Sequence, residues 1–253
     1  MMARRLLLLT ALGAALAACS DPTQFELKGG VAVSFATRDP GVAPSPPFAP
    51  SSAAMLDDTI VSGIDTLIVT RARIVLREIE LKRTETPDCD VEPEPVGCEE
   101  IEVGPVLVDL PLDQGAEQRF FVELPAGAYS RIDFELHKPD DNDPVDMVFI
   151  AANPEFADQS IRVEGTFNRA PFSFASDVNV EQELTLTPPL TVTEMGPVNV
   201  TVRVELNTWF RTATGTLVDP ATANKGGQNE SLVTENIKQS LEAFEDDDRD
   251  GGD

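Results

Sequence analysis

The carboxyl-terminal residues carry a spacing of acidic side chains that suits a hard cation. In residues 246–251 (DDDRDG), acids stand at the first, third and fifth positions and glycine at the sixth. This is the front half of an EF-hand-type loop, in which alternate carboxylates turn inward on Ca²⁺ and glycine permits a sharp bend. Asp246, Asp248 and Asp250 are therefore candidate calcium ligands, without the glutamate of loop position 12. A solvated acidic tail is the alternative, because runs of Asp produce this spacing easily.

Histidine chemistry has one candidate, because His137 is the single histidine of the sequence. A Ser-His-Asp hydrolase would need a serine and an aspartate placed beside this histidine, and no sequence motif marks such residues. A histidine-based zinc site would need further ligands. We interpret His137 as a surface residue at a strand end and predict no catalytic residue. The nearby Asp140, Asp141 and Asp143 are interpreted as part of a polar turn, with a second cation site as the alternative. Paired-carboxylate hydrolysis stays open because acids are abundant, although no distinctive motif marks a pair.

Covalent chemistry centres on Cys19. Residues 1–5 (MMARR) are basic, residues 6–15 are almost wholly apolar, and residues 16–18 (LAA) are apolar and mostly small. This order is typical of a secretory signal, and the apolar run is too short to span about 30 Å of hydrocarbon as a helix. We predict that residues 1–18 are a signal peptide that is removed on export. A membrane anchor helix or a buried core helix is the alternative.

The sequence LAAC at residues 16–19 resembles the lipobox of bacterial lipoproteins. The resemblance implies that Cys19 is lipidated with a diacylglycerol group, that the chain is cut just before it, and that the new amino terminus is acylated, for example with palmitate. Several chains at about 0.8 kcal/mol per buried methylene make such anchoring effectively permanent. Ser20 rather than Asp follows the cysteine, which by the sorting rule of enteric relatives implies the cell outer membrane. An ordinary signal with a chance cysteine is the alternative.

Cys89 and Cys98 remain as an even pair in a chain that we expect to be exported. An oxidising compartment favours a disulfide between them. The short loop that it would close predicts about 2–3 kcal/mol of stabilisation in the chain-entropy model. A metal-binding pair is the alternative, but neither a histidine nor a third cysteine lies near them in the sequence.

The charge of the chain restricts its partners. The sequence holds 44 Asp and Glu against 19 Lys and Arg, and loss of residues 1–18 with their two arginines takes the net charge from −25 to −27. Such a surface repels nucleic acid and anionic lipid headgroups, so we expect no nucleic-acid partner. After the signal, no second apolar stretch of about 18 residues occurs. The lipid anchor is therefore the membrane contact that the sequence predicts.

Short alternating segments between turn residues predict an all-β fold, an antiparallel β-sandwich. Residues 197–206 alternate with period two, and residues 72–81 do so with a phase slip that a β-bulge near residues 77–78 would absorb. Residues 125–128 read as a turn, after which Tyr129 is expected to bury its ring and to bond its hydroxyl back to the backbone. The predicted strands are residues 31–35, 66–69, 72–81, 106–110, 120–124, 129–136, 146–151, 160–167, 178–187 and 197–206.

The other segments frame the predicted sandwich. Apolar residues at rough helical spacing predict a short helix over residues 231–244. Trp209 and Phe210 are expected to close one end of the core. The alternative for the amino-terminal segment is that everything up to residue 58 is a tether. The predicted parts are the signal peptide (1–18), a lipidated segment with a first strand and a Pro-rich linker (19–58), the sandwich (59–212), and a loop, helix and acidic tail (213–253).

Three segments resemble a family of bacterial lipoprotein domains of unknown function. They are residues 69–81, residues 106–110 (VLVDL), and residues 124–132 with their Leu-Pro-Ala-Gly-Ala-Tyr turn. The resemblance covers roughly residues 60–210 and implies an immunoglobulin- or transthyretin-like sandwich. It implies no catalytic residues.

These patterns favour a non-catalytic lipoprotein of the cell envelope that acts as a structural or binding module. We expect it to contact the membrane through its lipid and to have a protein or glycan partner that the sequence does not identify. A calcium-dependent adhesive or binding protein is the first alternative, and a carboxylate-based hydrolase is the second.

Overall fold

The computed structural model of the protein describes residues 29–37, 58–84, 105–112, 117–194 and 196–245. Several residues singled out above lie outside this part of the chain, and what was expected of them stays a prediction. They are the signal peptide 1–18, Cys19, Cys89, Cys98, Asp246, Asp248 and Asp250.

The described residues form eleven strands and three short α-helices. The strands are β1 Gly30–Ala36, β2 Asp58–Ser62, β3 Asp65–Arg83, β4 Val106–Asp109, β5 Glu117–Glu123, β6 Gly127–Leu136, β7 Ile161–Phe167, β8 Ala170–Ser176, β9 Val180–Val192, β10 Pro197–Val204 and β11 Leu241–Glu245. The helices are α1 Pro144–Ala152, α2 Leu206–Trp209 and α3 Glu230–Lys238, and two 3₁₀ turns span Pro154–Phe156 and Pro220–Ala223.

The strands build two sheets, and the predicted all-β sandwich is confirmed. The smaller sheet has the order β11-β10-β1-β5. In the larger sheet β3 pairs with β2, β4, β6 and β7, while β8 pairs with β7 and β9 pairs with β6. One hydrophobic core joins residues of both sheets and of the helices. No helix of the described residues is long and apolar enough to cross a membrane.

The first strand is an integral part of the smaller sheet rather than a tether. All seven residues of β1 are buried, and β1 lies between β10 and β5. The pairing of β1 with β10 is parallel, which departs from the purely antiparallel arrangement that we expected. The long stretch of chain between the two strands permits a crossover, which a parallel pair requires.

The phase slip in β3 is the bulge that the sequence predicted. The register of β3 with β6 shifts between Leu76 and Glu78. Ile74 and Leu76 before the shift are buried, and so are Ile79 and Leu81 after it. One extra residue therefore keeps the apolar side chains of both halves of this strand on the core face.

Residues 146–151 were predicted as a strand, and this prediction is wrong because they lie in α1. The carboxylate of Asp143 accepts hydrogen bonds from the N–H groups of Val145 and Asp146, and Pro144 occupies the first helical turn. An Asx cap followed by proline is a strong helix start. These capping contacts outweigh the strand preference of the apolar run.

The predicted helix over residues 231–244 is confirmed only in its first part. Helix α3 ends at Lys238, and the chain then forms β11, which pairs antiparallel with β10. Leu241 and Ala243 are buried, whereas Glu242 between them is exposed. The open edge of β10 supplies backbone partners, so these residues pair as a strand.

Trp209 and Phe210 are part of the core, in agreement with the burial expected of them. Both are almost fully buried. The indole N–H of Trp209 donates to the hydroxyl of Ser240 at 2.7 Å. The ring of Phe210 packs edge-on against those of Phe172 and Phe174, at centroid distances of 6.2 and 5.2 Å. These contacts join α2 to β8 and to the segment before β11.

Candidate interaction site

Strands β6 and β7 lie end to end along one edge of β3. Leu76 of β3 pairs with Leu136 of β6, and Ile74 of β3 pairs with Ile161 of β7. Strand β4 pairs with both Leu76 and Ile74 from the other side. Since each strand has two edges, β6 and β7 share the remaining one. The chain therefore leaves the sheet and returns to it at almost the same point.

Residues 137–160, called the excursion from here on, are fixed to the sheet at Val75. The carbonyl oxygen of Val75 accepts a hydrogen bond from the N–H of His137 at 3.4 Å, and its N–H donates to the carbonyl of Ser160 at 2.7 Å. The excursion contains an acidic turn, α1 and the 3₁₀ turn Pro154–Phe156. Loops held by a rigid scaffold are the usual carriers of function, so the excursion is the candidate site.

The acidic residues at the start of the excursion form a turn, in agreement with the sequence interpretation. The carboxylate of Asp140 accepts from the backbone N–H of Asn142 at 2.9 Å. That N–H, followed by the Asn142 side chain, holds the pKa of Asp140 below its ordinary value. The carboxylate of Asp143 caps α1 and accepts a hydrogen bond from the N–H of Val145 at 2.7 Å. Within the part of the chain that is described, no group of three His, Cys, Asp or Glu is placed to hold a metal ion.

His137 follows the end of β6, as expected, but it is half-buried rather than a free surface residue. Its Nδ1 atom is buried and has no hydrogen-bond partner among the described residues. It borders a cleft of about 300 Å³, lined also by Lys138, Asp140 and Asp158. The described residues therefore place no serine hydroxyl in a hydrogen bond with this nitrogen, and they do not assemble a Ser-His-Asp arrangement around it.

A second cleft, of about 520 Å³, shares Lys138 and Asp158 with the first. In its wall Lys225 donates to the carboxylate of Asp177 at 2.5 Å. This contact holds the pKa of Asp177 below its ordinary value and that of Lys225 above it. The described lining of both clefts mixes charged side chains with alanine and proline, and it contains no aromatic side chain other than the imidazole of His137.

Helix α1 turns several of its apolar side chains toward solvent, although Phe149 and Ile150 are half-buried. Asp146 is the one buried residue among its nine, whereas Val145, Met147 and Val148 are 61, 56 and 71 % exposed. A surface helix of a globular protein normally has the reverse arrangement. Two exposed alanines continue the pattern one turn later. We call this surface the outer stripe; its residues are Val145, Met147, Val148, Ala151 and Ala152.

Asp146 fastens α1 to the acidic turn from the buried side. Its carboxylate accepts a hydrogen bond from the backbone N–H of Asp140 at 2.7 Å. At the other end, the side-chain amide of Asn153 donates to the carbonyl of Phe149 at 3.1 Å and closes the last turn. Polar contacts therefore close both ends of the helix, and the half-buried Phe149 and Ile150 share the face of Asp146. The outer stripe lies on the other side of the helix.

A contact between β3 and the 3₁₀ turn fixes the far side of the excursion. The buried guanidinium of Arg73 donates to Glu155 at 2.7 Å and lies 4.9 Å from the centroid of the Phe156 ring. Phe156 is itself fully buried. The pKa of Glu155 lies below its ordinary value because its own backbone N–H, and then Arg73, bond to the carboxylate. The excursion is thus anchored before and after α1.

Comparison with models of protein families, with curated proteins and with solved structures gave no match. The resemblance to a lipoprotein-domain family stays a prediction.

Two features that define the site were not predicted from the sequence, namely the outer stripe and the contact of Arg73 with the 3₁₀ turn. A signal for the helix was present, because Asp143 followed by Pro144 is typical of a helix start. No local pattern marks the pairing of Arg73 with Glu155, since these residues lie far apart in the sequence. The candidate calcium ligands lie directly after β11, so a strand, and not the helix of an EF-hand, precedes them.

Proposed function

We propose that the protein is a lipid-anchored, non-catalytic binding module of the cell envelope. The observation that supports this proposal is the short connection between a lipobox-like cysteine and a rigid sandwich. Cys19 is separated from Gly29, where the described fold begins, by residues 20–28. Nine residues reach about 30 Å when fully extended. A lipidated Cys19 would therefore keep the sandwich close to the bilayer.

The connection enters the sandwich at a defined end. The carbonyl of Gly29 accepts a hydrogen bond from the N–H of Leu124 at 3.4 Å, so β1 begins beside the turn that precedes β6. Strand β6 then runs ten residues away from this turn to Leu136, which corresponds to about 30 Å. The excursion begins there. An anchor at Cys19 would thus leave the excursion on the side of the domain away from its attachment point.

The binding part of the proposal is supported by the outer stripe. An exposed apolar surface on a well-anchored helix is typical of an interaction site. The net charge of −25 leaves a protein or glycan as the partner and disfavours nucleic acid. The clefts beside His137 offer further polar contacts next to this helix.

The anchor is tested on the native protein extracted from the cell envelope. We expect the amino-terminal peptide to begin at Cys19 and to carry the mass of a diacylglyceryl group and an acyl chain. The protein should partition into the detergent phase, and the Cys19→Ser variant should lose both properties. A peptide that begins at Met1, or an unmodified Cys19 in a protein that stays in buffer, would overturn the proposal.

A further inference from the structure

We infer that α1 is a docking helix whose outer stripe inserts into an apolar groove of a partner protein, and that the rim of this groove carries Lys or Arg side chains. This inference rests on the proposed binding function and names the element and the partner class. Four properties of the described residues support it. They are the packing of α1, the size of α1, the charge of the residues around it and its position in the domain.

The outer stripe makes no contribution to folding that would explain it. None of its five residues belongs to the hydrophobic core. The helix is capped by Asp143, is joined to the acidic turn by Asp146, and is followed by the 3₁₀ turn that contacts Arg73. Its half-buried apolar residues, Phe149 and Ile150, lie outside the outer stripe. Charged helix formers at exposed positions would serve folding and solubility better than valine and methionine. A function in binding accounts for the apolar side chains.

The size of α1 favours a groove over a flat interface. Nine residues give a helix about 13 Å long and 10–12 Å wide. This footprint is far below the roughly 800 Å² that each partner contributes to a standard interface. Two copies of α1 laid side by side would therefore bury too little surface. Val145, Val148 and Ala152 stand at positions i, i+3 and i+7, which is the spacing of anchors in a helix that inserts into a groove.

The charge around α1 selects the partner. Residues 140–158 contain six acidic and no basic side chains. A second copy of the chain would bring the same acids together across the interface, and an anionic bilayer would repel them. Helices that lie on membranes carry Lys or Arg on their polar face, and α1 carries none. A groove with a basic rim complements the exposed Asp141 beside the start of α1.

The position of α1 agrees with a protein partner rather than the supporting membrane. The excursion starts at the opposite end of β6 from the turn beside Gly29, where the connection to Cys19 begins. The outer stripe would then be accessible to a protein in the aqueous phase of the envelope.

The test is site-specific photo-crosslinking in the native cells with the full, lipidated chain. A benzoylphenylalanine replaces Ala151 in the outer stripe, and the matched control places it at Lys238, an exposed position of α3. We expect one protein to crosslink from position 151 and not from position 238. The crosslinked peptide should be apolar with Lys or Arg beside it. Crosslinking to a second copy, to lipid, or to nothing overturns the inference.

Variants in the same background test whether the apolar and charged contacts are responsible. Val148→Asp and Met147→Gln should each lower the crosslink yield about tenfold, because loss of a buried anchor costs more than 1 kcal/mol. Asp141→Lys should lower it as well through repulsion at the basic rim. Thermal unfolding of each variant is the folding control. If Val148→Asp does not fold, the crosslink yield of Met147→Gln provides the test. Unchanged yields in folded variants overturn the inference.

The mass of the amino-terminal peptide from the same cells separates this inference from the proposed anchor. An acylated Cys19 without a crosslink overturns the docking helix alone. A crosslink from a chain with an unmodified amino terminus overturns the lipid anchor alone.

Discussion

Arg73 donates a hydrogen bond to Glu155 at 2.7 Å and so joins the central strand of the larger sheet to the excursion. The Arg73 side chain is only 7 % exposed, and its guanidinium also contacts the ring of Phe156. The 3₁₀ turn after α1 is thus held by this side chain of β3 together with the buried ring of Phe156. The orientation of the outer stripe should depend on it too.

We expect Arg73→Met to lower the free energy of unfolding by about 1–3 kcal/mol, because a hydrogen bond to a charged group and a cation–π contact are lost while the apolar stem is kept. Urea unfolding followed by Trp209 fluorescence measures the change. The control is Arg71→Met, which removes an ion pair with Asp109 whose arginine is 49 % exposed. That substitution should lower the free energy of unfolding by less than about 1 kcal/mol. Equal losses in the two variants would contradict the assigned role of Arg73.

The lowered pKa of Glu155 predicts a loss of order in the excursion in acid. A carboxyl group whose pKa is lower in the folded state stabilises the fold at pH values above its unfolded pKa, and this contribution is lost as the pH falls through the folded value. Protection of the excursion amides against exchange should therefore decrease below the ordinary glutamate pKa of about 4.3. In a carboxyl-carbon NMR titration, Arg73→Met should shift the Glu155 pKa part of the way back up. The backbone N–H of Glu155, the larger cause, remains. An identical titration in both proteins would refute this assignment.

Tyr129 tests the turn between β5 and β6, beside which β1 begins. Its hydroxyl donates to the carbonyl of Pro125 at 2.8 Å in a partly buried hydrogen bond. The guanidinium of Arg83 lies 5.6 Å from the centroid of its ring. Tyr129→Phe should lower the free energy of unfolding by about 0.5–1.5 kcal/mol, because the ring contacts stay and one hydrogen bond is lost. Thermal unfolding measures this change, and Arg83→Met is the variant that removes the ring contact instead. If Tyr129→Phe unfolds at the same temperature as the unsubstituted protein, then the hydrogen bond of the hydroxyl does not stabilise the fold.

The sequence predicted the features that depend on local patterns. Period-two alternation marks β10, and the bulge of β3 follows from a break in that alternation between Leu76 and Ile79. The turn before Tyr129 and its hydroxyl contact follow from Pro125 and Gly127. In each case residues close in the sequence determine the geometry, so a single sequence is sufficient.

The site could not be predicted in the same way, because contacts between distant residues form it. The mostly apolar run from Val145 to Ile150 reads as a strand. Its exposed residues face solvent because Asp146, with the half-buried Phe149 and Ile150, occupies the inward face of α1. Likewise, residues 241–245 continue the apolar spacing of α3, and it is the free edge of β10 that makes them a strand.

The carboxylate of Asp146 is the residue on which the outward orientation of α1 depends most directly. It is buried, it accepts from the N–H of Asp140, and its negative charge lies in the first turn, where the helix dipole favours it. Asp146→Ala should lower the local free energy of unfolding of α1 by about 1–3 kcal/mol, because the partly buried N–H of Asp140 loses a charged acceptor. Asp146→Asn should lower this free energy by a smaller amount, since the amide oxygen of asparagine still accepts the hydrogen bond. Hydrogen exchange followed by mass spectrometry should show faster exchange over residues 144–152 in the alanine variant, with β7 unchanged. If alanine and asparagine have the same effect, or if exchange increases equally in α1 and in β7, then Asp146 does not hold the helix in the way described.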